Sequence, residues 1–169
     1  PRGQADFDKM TEAVDSPGSA VVGRLTNVPP WEAELILSMR LWMDSLEGQE
    51  KVGTGFARCF GTAGGRAEIR QFERLLTALC AYARRPLVRH GLGCDCIGSD
   101  EAVLQTLVRE AARGDLAEAA MVASLLVPAS QAEHVALMAA QVGLAMQCIA
   151  RQSPPPRGTA ETVRSRTLH

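Results

Sequence analysis

Apolar residues recur at alternating intervals of three and four along most of this chain, which is the period of an α-helix that buries one face. The spacing is clearest from about residue 66 to 84 and from about residue 130 to 151. The apolar positions of these two stretches are Ile69, Phe72, Leu76, Leu79 and Ala83, then Val135, Met138, Val142, Ala145 and Ile149. Both stretches are predicted to be helices that contribute to a core.

A first helix is predicted to begin at Pro29-Pro30 and to end at Gly48, because proline is tolerated in the first turn and glycine often follows the last one. Its apolar residues cover more than one face, so we expect it to be central and buried. The glycine-rich stretch 48–65 predicts a short helix between glycine breaks.

A further helix is predicted from Ser99 or Asp100 to Arg113, with Ser99 as its N-cap. After the break at Gly114, Asp115 is expected to cap a short alanine-rich helix. No stretch convincingly favours a strand. The chain is therefore predicted to be all-α, a bundle of five to six helices. The expected core residues are Ile36, Met39, Trp42, Phe72, Leu76, Leu79, Leu104, Leu107, Leu126, Met138, Val142 and Ile149.

The two ends differ in composition from the middle. Residues 1–28 have no sustained period and predict a flexible or irregular N-terminal arm. Residues 153–169 open with three prolines after Ser153 and carry several arginines, which predicts a disordered tail. The helical bundle domain is expected to span residues 29–152.

The charge and the cysteine content argue against some classes of function. The formal net charge of −1 argues against nucleic-acid binding, which usually needs a strongly basic surface. Five cysteines without regular spacing, and no secretory signal, indicate a reducing compartment, so we expect a cytoplasmic protein. The longest apolar stretch, residues 135–150, contains Gln141, Gly143 and Gln147 and is shorter than the roughly 20 residues that span a bilayer. No membrane association is expected.

One segment carries candidate chemistry. His90, Cys94 and Cys96 lie within seven residues, among glycines that permit a tight turn. Imidazole and thiolate are the usual zinc ligands, so His90, Cys94 and Cys96 are candidate ligands of a zinc ion in a regulatory or accessory protein. The candidates for a fourth ligand are Cys59, His134, Cys148, Asp95, Asp100 or water.

Other functions stay open, because C-x-C is not the usual zinc spacing. Nearby arginines and the start of the next helix would lower a thiol pKa, which favours a thiol-redox protein that uses Cys94 and Cys96. A third hypothesis is a metal-free interaction module, for instance a homodimer, whose apolar first helix or alanine-rich fourth helix contacts a protein partner. The sequence singles out no catalytic residue, and enzymatic activity is expected only if this same loop supplies it.

Overall fold

The computed structural model describes residues 16–152, and this part of the chain forms five α-helices and a two-stranded antiparallel sheet. In chain order, the helices are α1 (Pro30–Asp44), α2 (Leu46–Tyr82), α3 (Ser99–Ala112), α4 (Leu116–Ala123) and α5 (Ala129–Gln152). The strands are β1 (Val21–Arg24) and β2 (Cys96–Gly98), and short 3₁₀ turns span Pro17–Ser19 and Leu25–Asn27.

The predicted helical bundle is confirmed. Helix α5 contacts all four other helices, and α3 also contacts α1 and α4, so the core lies around α5. Each of the twelve side chains predicted to form the core is buried. Asp115 caps α4 as expected, because its side chain accepts a hydrogen bond from the Glu118 backbone N–H at 3.0 Å.

The boundaries of the first two helices differ from the prediction. Helix α1 ends at Asp44, and Gly48 lies in the first turn of α2, where Ser45 Oγ accepts its N–H. The stretches predicted as two helices, 48–65 and 66–84, are joined in α2 and separated by a kink at Gly61. Gly61 has φ 73° and ψ 174°, a backbone conformation that is essentially restricted to glycine.

The expectation of no strand was wrong. β1 pairs with β2, with Gly23 opposite Ile97 and Arg24 opposite Cys96. The sequence signal was weak because each strand is only three or four residues long. β1 belongs to the predicted N-terminal arm, of which residues 1–15 lie outside the described part, as does the predicted tail 153–169.

Helix α5 has the length and composition of a membrane-spanning helix, with a mean hydropathy of 1.2 over its most apolar window. Within the bundle, 56% of that window is buried. The core helix of a globular domain can have the same length and composition.

Candidate functional site

The connection between α2 and α3 places all three sequence-predicted site residues around the Cys94 sulfur. The Sγ atom of Cys94 lies 3.6 Å from Nδ1 of His90. The backbone N–H of Cys96 donates to the same sulfur at 3.3 Å. All three residues are partly buried, so the group lies near the surface without being fully in solvent.

The His90 ring is held in place from its far side. Its Nε2 lies 2.8 Å from the backbone carbonyl oxygen of Ser19, in the turn before β1. A carbonyl oxygen can only accept, so Nε2 carries the proton and Nδ1 of the neutral ring presents its lone pair to Cys94. Gly98 permits this arrangement, because a Cβ there would stand 2.7 Å from Cδ2 of the ring.

These contacts favour a thiolate at Cys94. The Cys96 side chain, then the Cys96 backbone N–H and His90, outweigh burial and lower the pKa of Cys94. The same contact with Cys94 is the largest cause that raises the pKa of Cys96. Burial alone would lower the pKa of His90, but the Ser19 carbonyl, the Cys94 sulfur and the charge of Glu101 raise it. Loss of the proton is therefore favoured at Cys94 and disfavoured at Cys96.

Arg40 of α1 organises the loop from inside the core. Its guanidinium is fully buried and donates to three loop carbonyl oxygens: Gly91 at 3.2 Å, Cys94 at 2.6 Å and Cys96 at 2.6 Å. Its other two N–H groups donate to the Glu101 carboxylate, each at 2.8 Å. All five N–H donors of the guanidinium are thus satisfied.

Two acidic residues in the first turn of α3 fix the ends of the loop. The fully buried Glu101 carboxylate also accepts the backbone N–H groups of His90 at 3.1 Å and Gly98 at 2.9 Å. Asp100 accepts two hydrogen bonds from Arg85, at 2.8 and 2.7 Å, and the N–H of Val88 at 2.9 Å. The sequence indicated Asp100 as a possible fourth zinc ligand and did not show that either carboxylate fixes the loop.

The predicted N-cap of α3 was also placed one residue late. The N-cap is Gly98, whose N–H the Glu101 side chain accepts in the manner of a capping box. Ser99 instead donates its hydroxyl to the Pro17 carbonyl oxygen at 2.7 Å and so ties the start of α3 to the first 3₁₀ turn.

The proposed fourth ligands lie elsewhere or are engaged by other groups. Asp100 binds Arg85, and Asp95 contacts Arg24 at the surface. His134 is exposed on α5, whereas Cys59 and Cys148 contact each other. Within residues 16–152, no group of three or more His, Cys, Asp or Glu side chains is arranged to hold a metal ion.

The first helix and the alanine-rich fourth helix, which the sequence indicates as possible contact surfaces for a protein partner, differ in how far their apolar side chains are exposed. The first helix, α1, buries Leu35, Ile36 and Met39 completely, so these apolar side chains are not available to a partner. Helix α4 exposes Met121, and the turn after it exposes Leu125. Of the two helices proposed as contact surfaces, only the alanine-rich α4 presents apolar side chains of this size to solvent.

Comparison of the chain with protein-family models, with curated proteins and with solved structures gave no match. The contacts of the loop between α2 and α3 are therefore the basis on which a function is inferred.

Proposed function

We propose that the protein acts by thiol–disulfide chemistry at the loop between α2 and α3, with Cys94 as the attacking thiolate and Cys96 as the second thiol. The observation that carries this proposal is the 3.6 Å contact between Cys94 Sγ and a His90 ring whose other nitrogen is fixed on the Ser19 carbonyl oxygen. A thiol beside an oriented imidazole has a ready proton acceptor and yields the reactive thiolate.

The exchange requires both sulfurs. Cys94 Sγ attacks one sulfur of a partner disulfide, and the S–S bond of that partner breaks to release one partner thiolate, which takes up a proton. Cys96, after losing its own proton, attacks the Cys94 sulfur of the mixed disulfide and releases the second partner thiolate. The two loop thiols lose two electrons and become a disulfide, while the partner disulfide is reduced to two thiols.

The proposal is tested by residue-resolved alkylation with iodoacetamide at pH 7. Cys94 is expected to react about tenfold or more faster than Cys80, which is buried, and His90→Asn is expected to slow Cys94 several-fold. The matched control is His134→Asn, which removes an exposed histidine. Alkylation of Cys94 at the rate of an unfolded-peptide thiol, or an unchanged rate in His90→Asn, would contradict the proposal.

Zinc binding by His90, Cys94 and Cys96, without turnover, is the second candidate. The supporting observation is the hydrogen bond from His90 Nε2 to a carbonyl oxygen, because metal-bound histidines usually direct their second ring nitrogen this way. With Zn–S of about 2.3 Å and Zn–N of about 2.0–2.1 Å, a tetrahedral ion separates its N and S ligands by about 3.5 Å. The distance from Nδ1 to Sγ is 3.6 Å.

Metal analysis of untagged protein from zinc-supplemented growth decides between the two candidates. Zinc binding predicts about one zinc per chain, lost in Cys94→Ser, and a chelator that accelerates alkylation of Cys94. Thiol exchange without metal predicts a stoichiometry near zero and alkylation that a chelator does not change. Either result removes one candidate and leaves the other standing.

A further inference from the structure

We propose that Cys59 and Cys148 form a reversible disulfide that ties the first segment of α2 to α5, at a site separate from the loop between α2 and α3. The two Sγ atoms lie 2.8 Å apart, closer than sulfur atoms in simple van der Waals contact. The residues are 89 positions apart in sequence, so the contact exists only because two adjacent helices bring them together.

The position of Cys59 in α2 determines which part of that helix the disulfide would hold. Cys59 lies two residues before the kink at Gly61, at the end of a segment that buries Val52 and Phe56 in the core. The segment joins the rest of α2 through the kink at Gly61, and the burial of Val52 and Phe56 holds it against the core. A covalent bond from Cys59 to Cys148, near the end of α5, would fix the kinked end of the segment to α5.

A pocket lined in part by Cys59 gives a small reagent access to that thiol. It has a volume of about 210 Å³ and is lined by residues of α1, α2 and α5, including Glu34, Lys51 and Arg58. Its lining includes the two basic side chains Lys51 and Arg58, and Lys51 also pairs with Glu47 at 2.8 Å. The proposed oxidant is a small disulfide of the chemical class of oxidised glutathione.

The oxidation proceeds by two exchanges. Burial, together with the contact from Cys148, raises the pKa of Cys59 to about 11, so Cys59 is a protonated thiol at neutral pH. One thiol of the pair attacks as its thiolate, breaks the S–S bond of the small disulfide and releases one small thiolate, which takes up a proton. The second thiol then loses its proton and attacks the sulfur of the first, which releases the second small thiol and leaves the protein disulfide. Two electrons pass from the protein to the small disulfide.

The experiment incubates the full chain in glutathione buffers of increasing oxidised fraction, quenches it with acid and maps the disulfides by mass spectrometry. The expected product is a peptide that joins Cys59 to Cys148. The thermal midpoint Tm of the oxidised protein is expected to exceed that of the reduced protein by about 10 °C, because the bond closes a long loop of the unfolded chain.

Two variants separate this site from the loop. Cys148→Ser is expected to abolish both the linked peptide and the rise in Tm, whereas Cys94→Ser/Cys96→Ser is expected to keep both. If Cys59 and Cys148 remain separately alkylated in the most oxidising buffer, or carry only glutathione, the proposal is overturned. The wild-type disulfide map decides this even if a variant fails to fold, and neither result depends on whether Cys94 is reactive.

Discussion

At the residue scale, Arg40 and Glu101 form a fully buried ion pair beneath the loop. A buried guanidinium is costly unless its charge is paired and its N–H groups are hydrogen-bonded. Here the carboxylate of Glu101 supplies the charge, and three loop carbonyl oxygens complete the donors. The loop backbone is thus part of the solvation shell of a buried charge, which explains how an irregular segment keeps its shape.

Replacing Arg40 with Met is expected to lower the free energy of unfolding by about 3–5 kcal/mol, because Glu101 would remain buried without its counter-ion. Urea denaturation measures this. The control is Arg24→Met, which removes a 63% exposed partner of Asp95 and is expected to cost less than about 1 kcal/mol. Equal effects of the two substitutions would show that the buried pair does not hold the loop.

His90 provides a pH prediction. Its pKa in the folded protein is expected to lie above its ordinary value of 6.5, and Cys94→Ser is expected to lower it, because the sulfur is one of the groups that raise it. A raised pKa stabilises the fold most below pH 6.5, and this contribution is lost as the pH rises through the folded-state value. NMR titration of the His90 ring measures both values, and an unchanged pKa in Cys94→Ser would contradict the contact.

The sequence identified His90 and Cys94 because imidazoles and thiols are rare and the two lie four residues apart. It did not identify Arg40, which is the only basic residue of α1. Period and composition cannot show that one charged side chain of such a helix points inward. Only the positions of Glu101 and the loop carbonyl oxygens show that the interior has acceptors for it.

At the element scale, glycines decide how the helices approach one another. Six glycines lie in the stretch 48–65, and the sequence predicted breaks there without showing which glycine causes one. Gly61 alone of the six has a positive φ, whereas Gly48 and Gly65 stand inside α2 at places where a Cβ would collide with backbone atoms. Glycine is required both where backbones pack closely and where the helix kinks. A glycine in the sequence therefore does not show which of the two applies.

Alanine substitutions at two glycines are expected to change the free energy of unfolding in opposite directions. One of them, Gly143, lies where α5 crosses α3. Ala at Gly143 is expected to destabilise the protein by about 1–3 kcal/mol, because its Cβ would stand 2.6 Å from Cβ of Ala112. Ala at Gly53, where a Cβ meets nothing within 4 Å, is expected to stabilise by about 0.5–1 kcal/mol. Urea denaturation of both variants measures the difference, and effects of the same sign would contradict this account of the crossing.

At the scale of the whole molecule, the site is assembled from segments that are far apart in the sequence. Ser19 orients the His90 ring, α1 supplies Arg40, α3 supplies Glu101, and β1 pairs with the end of the loop at Cys96. Periodicity predicts each helix separately, and it therefore predicted the bundle. It does not predict contacts over 50 to 70 positions, and these contacts give the loop its geometry.

Because these contacts hold the loop, its rigidity can be measured by the hydrogen exchange of its backbone amides. The backbone N–H groups of His90 and Gly98 both donate to the buried Glu101 carboxylate, so they are expected to exchange with solvent only through global unfolding. Native-state hydrogen exchange in low denaturant should give them the same opening free energy as the core amides of α1. Leu92, at the exposed tip of the loop, is the internal control and is expected to exchange much faster.

The Arg40→Met variant relates hydrogen exchange in the loop to the proposed reactivity of Cys94. Without the guanidinium, the carbonyl oxygens of Gly91, Cys94 and Cys96 lose their shared donor, and the loop can open while the helices stay packed. His90 and Gly98 should then exchange faster than the α1 amides. The fast alkylation that we propose for Cys94 should also be lost, because the sulfur would no longer face a fixed imidazole. If Cys94 stays fast while the loop amides open, its reactivity does not come from the geometry that Arg40 maintains.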